Sequence, residues 1–227
     1  MRRQGQPFRP SEREDERTRM VDQQLRARGI SDQAVLEAMR KVPRHRFVPD
    51  HLQQYAYADE PLPIGEGQTI SQPYVVALML EALEVRPGDR VLEVGTGSGY
   101  VAALLECMGC EVYTVERVPD LATRAAWRLR ELGYHRVEVR CGDGTRGWAE
   151  KAPFDAILVS AAAPAVPPSL VAQLRAGGRL VIPVGDRGLQ ELVRLRKSAQ
   201  GETSREYLGA VSFVPLVGAE GWPEPSP

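Results

Sequence analysis

Val91-Leu92-Glu93-Val94-Gly95-Thr96-Gly97-Ser98-Gly99 runs from an apolar strand into alternating glycines, and a helical pattern over 99–108 follows at once. Glycine lets the backbone take positive φ and come close to a ligand. The helix beyond the turn offers free N–H groups at its start. A strand, a glycine turn and a helix in this order open a βαβ unit.

The same alternation continues downstream. Strands are expected at 90–94, 111–116, 137–140, 154–160 and 179–183, with terminal strands at 191–196 and 210–214. Helices are expected at 99–108, 119–132 and 168–174. This order predicts an α/β fold, a doubly wound and mostly parallel sheet with right-handed crossovers.

Upstream, Gly29 closes a helix over 20–28, and Ser31-Asp32 opens another with Val35, Leu36 and Met39 on one face. Pro43 and Pro49 break the next segment, so 20–60 reads as a small helical cap. Residues 61–73 contain three prolines and two glycines and read as an irregular loop. Loops of that length in a compact domain are often functional. A helix over 74–83 follows. Residues 1–19 are charged and poor in apolar side chains, so a disordered tail is expected there, and a flexible tail at 218–227. The folded unit is then one domain, 20–217, with 74–217 as its core.

With 227 residues, 43% of them hydrophobic, the chain can bury a core of this size. A net charge of -1 and scattered arginines argue against a nucleic-acid or membrane partner. No stretch reaches the roughly 18 apolar residues of a membrane span. Cys107, Cys110 and Cys141 are an odd number, and Cys107-Met-Gly-Cys110 lacks a second pair for zinc. His45, His51 and His135 show no ligand spacing either. No metal is expected, and a reducing, cytoplasmic setting is. Trp127 and Trp148 are expected as packing residues, and Arg44 and Arg46 on the solvated surface.

The glycine turn fits two cofactor classes. A dinucleotide site needs a small residue three places after Gly97, where Tyr100 stands. The observed order is an acid, Glu93, then Gly95, Gly97 and Gly99. A carboxylate is awkward beside a pyrophosphate and suits the cationic amino-acid and sulfonium groups of S-adenosylmethionine. Glu116 ends the next strand, where a carboxylate can accept from ribose hydroxyls roughly 20 residues on. Asp143, in Cys141-Gly142-Asp143-Gly144, can accept from an adenine amino group. Three acids at three successive strand ends predict a Rossmann-like S-adenosylmethionine-dependent methyltransferase.

The acceptor is addressed by Pro61-Leu62-Pro63-Ile64-Gly65-Glu66-Gly67-Gln68-Thr69-Ile70-Ser71-Gln72-Pro73, which resembles the protein-L-isoaspartate O-methyltransferase family. The resemblance extends through Val42-Pro43-Arg44, Phe47-Val48, Gly142-Asp143-Gly144, Gly177-Gly178-Arg179-Leu180 and Phe213-Val214-Pro215-Leu216, over roughly 20–217. It implies repair of damaged proteins: methylation of the free α-carboxylate of L-isoaspartyl residues, and less well of D-aspartyl residues. It implies that Ser71 is the active-site residue and that Gln68, Thr69 and Ile70 contact the cofactor beside Glu93, Gly95, Thr96, Gly97, Ser98, Gly99, Glu116, Asp143 and Gly144. It implies that Val214, Pro215 and Leu216 flank the bound peptide. Val217 departs from the polar residue of some relatives and is given no cofactor contact. S-adenosyl-L-homocysteine would be the product.

The chemistry agrees. A carboxylate acceptor is already ionised near neutral pH, so no strong base is needed. Catalysis would then rest on positioning and desolvation. A second role, capping the helix that follows, is open to the same Ser71 hydroxyl. Competing readings are a nucleic-acid methylase, a small-molecule O-methyltransferase, a non-catalytic cofactor-binding module and a nicotinamide oxidoreductase. Ser160-Ala161-Ala162-Ala163-Pro164 lacks the motif expected of a base methylase. Intact glycines speak against the non-catalytic module, and Tyr100 with Glu93 against the oxidoreductase.

Overall fold

Strand β3 (Arg90–Val94) is the centre of the sheet. Its Val91, Leu92 and Val94 are buried, so apolar layers cover both faces. On one side it pairs in parallel with β4 (Glu111–Glu116), which pairs with β5 (Val137–Cys141). On the other it pairs in parallel with β6 (Phe154–Val159), followed by β7 (Leu174–Gly185). β8 (Gln190–Lys197) and β9 (Thr203–Val211) extend that edge antiparallel. The resulting order, β5-β4-β3-β6-β7-β8-β9, reverses direction between β3 and β6. Ligands of doubly wound sheets bind at the carboxyl ends beside such a reversal. The structure, a computed structural model, describes residues 12–224. Parts of the expected tails at 1–11 and 225–227 lie outside the described residues.

One apolar layer joins Val91, Leu158 and Val181 of the sheet to α3 (Pro73–Leu83), α4 (Tyr100–Cys107), α5 (Pro119–Glu131) and the N-terminal cap. The other joins Leu92, Ile157 and Leu180 to α6 (Pro168–Gln173). Adjacent residues of each strand point to opposite layers, as the pleat requires. The cap is built from α1 (Glu14–Met20), its continuation to Arg28, α2 (Gln33–Lys41) and two short 3-10 turns. Asp32 caps α2, its carboxylate accepting from the Ala34 and Val35 N–H groups. Gly29, at φ 96°, closes the first helix where expected.

Several expectations need correction. The charged stretch 14–19 belongs to α1 and is no tail. Glu14, Asp15 and Glu16 suit a helix N-terminus, while Arg17 and Met20 are buried, the former donating to the Arg40 carbonyl at 2.5 Å. The segment 61–73 is not wholly irregular. β1 (Leu62–Gly65) and β2 (Gln68–Ile70) form a small antiparallel hairpin because Leu62, Ile64 and Ile70 alternate into the core. Gly65, Glu66 and Gly67 take the positive φ of its turn.

The last strand is Thr203–Val211 and not 210–214. β9 is exposed on nearly every residue, so it carries no apolar alternation to read. The segment 214–216 leaves the edge and crosses the end of β6, bonding to Ala162 through Val214 O and Leu216 N. Residues 218–224 fold back on the domain, with Trp222 N bonded to Leu216 O at 2.7 Å. Arg44 is fully buried in the cap, its Nε donating to Ala56 O at 2.8 Å. Trp127 is 64% exposed and does not pack, whereas Trp148 meets the Tyr113 ring edge-on.

Candidate active site

The turn after β3 takes positive φ at Gly95, Gly97 and Gly99, so its backbone folds back toward the sheet ends. Gly97 needs its missing side chain as well as its φ of 52°: a Cβ there would lie 3.3 Å from Ile64 Cδ1 of the hairpin. Turn, hairpin and the ends of β3, β4 and β6 enclose a cavity of about 350 Å³. That volume is within the usual range of small-molecule sites.

Glu66, Glu93 and Glu116 stand in its wall, the last two on strands of the sheet. Glu116, at the end of β4, accepts from the Gly97 N–H at 2.9 Å and from the Val118 N–H at 3.0 Å. The turn and this acid are thus one hydrogen-bonded unit. Glu93 is buried beneath the turn and accepts from the Thr114 hydroxyl at 2.6 Å, and Thr114 meets Thr96 Oγ1 at 2.6 Å. Burial pushes the Glu93 carboxyl up to about 8, the Thr114 hydrogen bond opposes this, and the Glu116 charge adds to it. A cation beside it would favour its ionised form. Ser98 Oγ, also in the wall, is buried without a hydrogen-bond partner among the described residues. Burial of an unpaired hydroxyl is costly, so a polar ligand group belongs there. A cation with nearby polar groups is what the amino-acid and sulfonium end of S-adenosylmethionine offers.

Ser71 lies between β2 and α3 in the same wall. A second cavity, about 630 Å³, opens on its other side, and Thr69, Ser71, Ser160 and Val214 line both. The remaining wall of the second cavity comes from Pro61, Gln72, Val75, Leu189 and 210–213, with no ionisable side chain. Ser71 does not cap α3: the N-cap position is Gln72, whose own side chain makes no cap bond.

Comparison with known proteins gives the family of the chain. The model of the protein-L-isoaspartate(D-aspartate) O-methyltransferase family matches residues 15–221. The chain belongs to that family. A protein-L-isoaspartate O-methyltransferase of Pelotomaculum thermopropionicum is 60% identical over 92% of this chain and 92% of its own. One of Methanoculleus marisnigri is 58% identical over 91% and 94%. A solved protein-L-isoaspartate O-methyltransferase superposes with a TM-score of 0.80 at 28% identity, over 92% of this chain and 67% of its own. One from Plasmodium falciparum, solved with S-adenosyl-L-homocysteine, gives 0.76 at 27% identity, over 88% and 98%. This isoaspartate-family methyltransferase uses S-adenosylmethionine as its methyl donor.

Within the methyltransferase, Gln68, Thr69, Ile70, Ser71, Glu93, Gly95, Thr96, Gly97, Ser98, Glu116, Gly144, Val214, Pro215 and Leu216 all line the first cavity. Gly99 and Asp143 do not. Gly99 is the N-cap of α4, one residue behind the wall. The Asp143 carboxylate accepts from the Thr145 N–H and hydroxyl through Oδ1 and from the Ala219 N–H at 2.9 Å through Oδ2. Burial would raise it, but these donors, Ala219 first, hold it below the usual carboxylate range. Val217, left without a contact in the sequence reading, lines the cavity. So do Ser160, Ala161, Tyr100 and Arg117. Ser160 and Arg117 directly follow strands, a position that marks the ligand end of such a sheet. Among the described residues no group of three or more His, Cys, Asp or Glu could hold a metal ion, and no helix is long and apolar enough to cross a membrane. All three cysteines are free thiols, and burial pushes Cys110 up to about 12.

Proposed function

We propose that this methyltransferase esterifies the free α-carboxylate of L-isoaspartyl residues in damaged proteins, with Ser71 as its acceptor-side residue. The observation that carries this reading is the second cavity: it joins the cofactor cavity at Ser71 and offers no ionisable side chain. An alcohol, amine or thiol acceptor must lose a proton, and no base stands there to take it. A carboxylate is already ionised and needs only to be oriented and stripped of water.

S-adenosylmethionine supplies a methyl group on a sulfonium that leaves as a neutral thioether. Glu93, backed by Thr114 and Thr96, would balance its positive end, with the unpartnered Ser98 hydroxyl beside it. Glu116 would accept from the ribose hydroxyls, since two backbone N–H groups already fix its orientation. Gln68, Thr69 and Ile70 would cover the ligand, while Gly99 supports the turn and Asp143 and Gly144 form the adenine end. Ser71 would donate to the acceptor carboxylate. A neutral hydroxyl can orient an anion without trapping it in a strong ion pair. Val214, Pro215 and Leu216 would flank the peptide. The working unit runs from α1 through the segment 218–224 that folds back on the domain. A cytoplasmic location is supported by the three free thiols, and the near-zero net charge makes nucleic acid a poor partner.

The test is a pair of peptides differing only in isoaspartyl or aspartyl linkage, each incubated with methyl-labelled S-adenosylmethionine. Base-labile label is expected on the isoaspartyl peptide alone. No transfer to either peptide overturns the reading.

A further inference from the structure

The two-residue link Ser71-Gln72 joins β2 to α3 with little support of its own. Ser71 takes no side-chain hydrogen bond among the described residues, and α3 lacks a side-chain cap from its own N-cap residue. A helix start leaves N–H groups that need partners. One of them is satisfied from outside the loop, by Asp59 in the helical cap. Asp59 Oδ1 accepts from the Tyr74 N–H at 3.1 Å, and Oδ2 accepts from Gln72 Nε2 at 2.8 Å. Oδ2 also accepts from Arg28 Nη1 at 2.5 Å. The Arg28 guanidinium in turn lies 3.5 Å from the centroid of the Tyr74 ring. One carboxylate therefore grips both residues that frame the turn into α3, and a stacked cation holds that carboxylate. Asp59 lines neither cavity, so it does not touch the reacting groups.

We propose that Asp59, fixed by Arg28, is the positioning residue for Ser71: it supplies from the cap domain the helix cap that the loop lacks, and so sets where the serine hydroxyl meets the acceptor. This inference rests on the reading of Ser71 as the acceptor-side residue. It makes the cap a working part of the site, since Arg28 and Asp59 both belong to 20–60.

The experiment is a double-mutant cycle on the full chain with Asp59→Ala and Ser71→Ala, read with an isoaspartyl peptide and by calorimetric binding of S-adenosyl-L-homocysteine. Asp59→Ala is expected to lower kcat/KM about tenfold while the Kd for S-adenosyl-L-homocysteine stays within about threefold. In the Ser71→Ala background the same change is expected to cost no more than about twofold, because the residue it positions is gone. Asp59→Asn keeps one acceptor for the Tyr74 N–H and should fall between. Amide exchange gives a readout independent of activity: the Tyr74 N–H should exchange faster in Asp59→Ala. Full cost retained in the Ser71→Ala background, or unchanged exchange at Tyr74, overturns the proposal. If Asp59→Ala does not fold, Arg28→Ala carries the same cycle, with a smaller effect expected in the same direction and additivity again overturning it. If the unaltered protein methylates no isoaspartyl peptide, the functional reading fails, and the exchange of Tyr74 alone decides the anchoring.

Discussion

Ser71 stands where the two cavities meet, and its hydroxyl is not spent on capping α3. If Ser71 donates to the acceptor carboxylate as proposed, alanine there removes one hydrogen bond to a charged group, worth roughly 1.5–3 kcal/mol, or about 10- to 100-fold in turnover. Ser71→Ala should therefore lower kcat by that factor and leave cofactor affinity nearly intact; a collapse of S-adenosyl-L-homocysteine binding would move Ser71 into the cofactor shell. Glu93 makes a second prediction, in pH. Its carboxyl is held near 8 in the folded protein by burial and near 4.3 in the unfolded chain. The stability it contributes is complete below about pH 4 and is lost as pH rises through about 8. The Tm of the ligand-free protein, measured against Glu93→Gln at each pH, should fall between pH 5 and 9. A constant difference removes the assignment. Because a cationic ligand favours the ionised acid, S-adenosylmethionine should bind more tightly as pH rises from 6 to 8, releasing a proton. Both residues were legible in the sequence from their motifs. The partners that tune them, Thr114 and Thr96 below Glu93, were not, since a hydroxyl on a neighbouring strand has no mark in the local pattern.

At the scale of elements, the hairpin β1–β2 and the segment 214–224 close the site from opposite sides. The hairpin passed for a loop because prolines and glycines dominate its composition, yet three apolar side chains on one face suffice to order it once the core is present. The C-terminal segment clamps Asp143 and Thr145. Ala219 N–H meets Asp143, Glu220 N–H meets Thr145 Oγ1, and the Glu220 carboxylate accepts from the Ser169 N–H and hydroxyl. A Cβ on Gly218 would lie 2.1 Å from Asp143 Oδ1. Removing residues 218–227, or substituting Gly218→Ala, should weaken cofactor binding about tenfold, the scale of losing one or two hydrogen bonds. Unchanged affinity in a titration of either variant would leave the segment a role in stability alone. Asp143→Ala should weaken binding similarly, through the same contacts.

Across the whole molecule, the sheet and the helical layer are joined by a buried guanidinium. Arg179, on β7, donates to the Leu83 carbonyl at 2.8 Å and to that of Glu84, and pairs with Asp89 at 3.4 Å. It thus satisfies the C-terminal end of α3 from the middle of the sheet. Arg179→Ala takes the guanidinium from those carbonyls, leaves Asp89 with the Arg86 N–H alone, and should cost about 3 kcal/mol. For a domain of this size that lowers Tm by roughly 6–12 °C, as a thermal scan would read. A shift under about 2 °C would mean that water replaces the guanidinium. The glycine turn, the acids near it and the alternation of strands and helices are local patterns, and from them the sequence by itself determined the sheet and the cofactor class, while the motif at 61–73, by its family resemblance, pointed to Ser71. Tertiary structure alone decided that Asp143 is clamped by the C-terminal segment, that Asp59 caps a helix outside its own element, and that Ser71 borders two cavities. Each of those depends on atoms brought together from distant parts of the chain, and hydrogen bonds across such separations leave no periodicity for a sequence reading to detect.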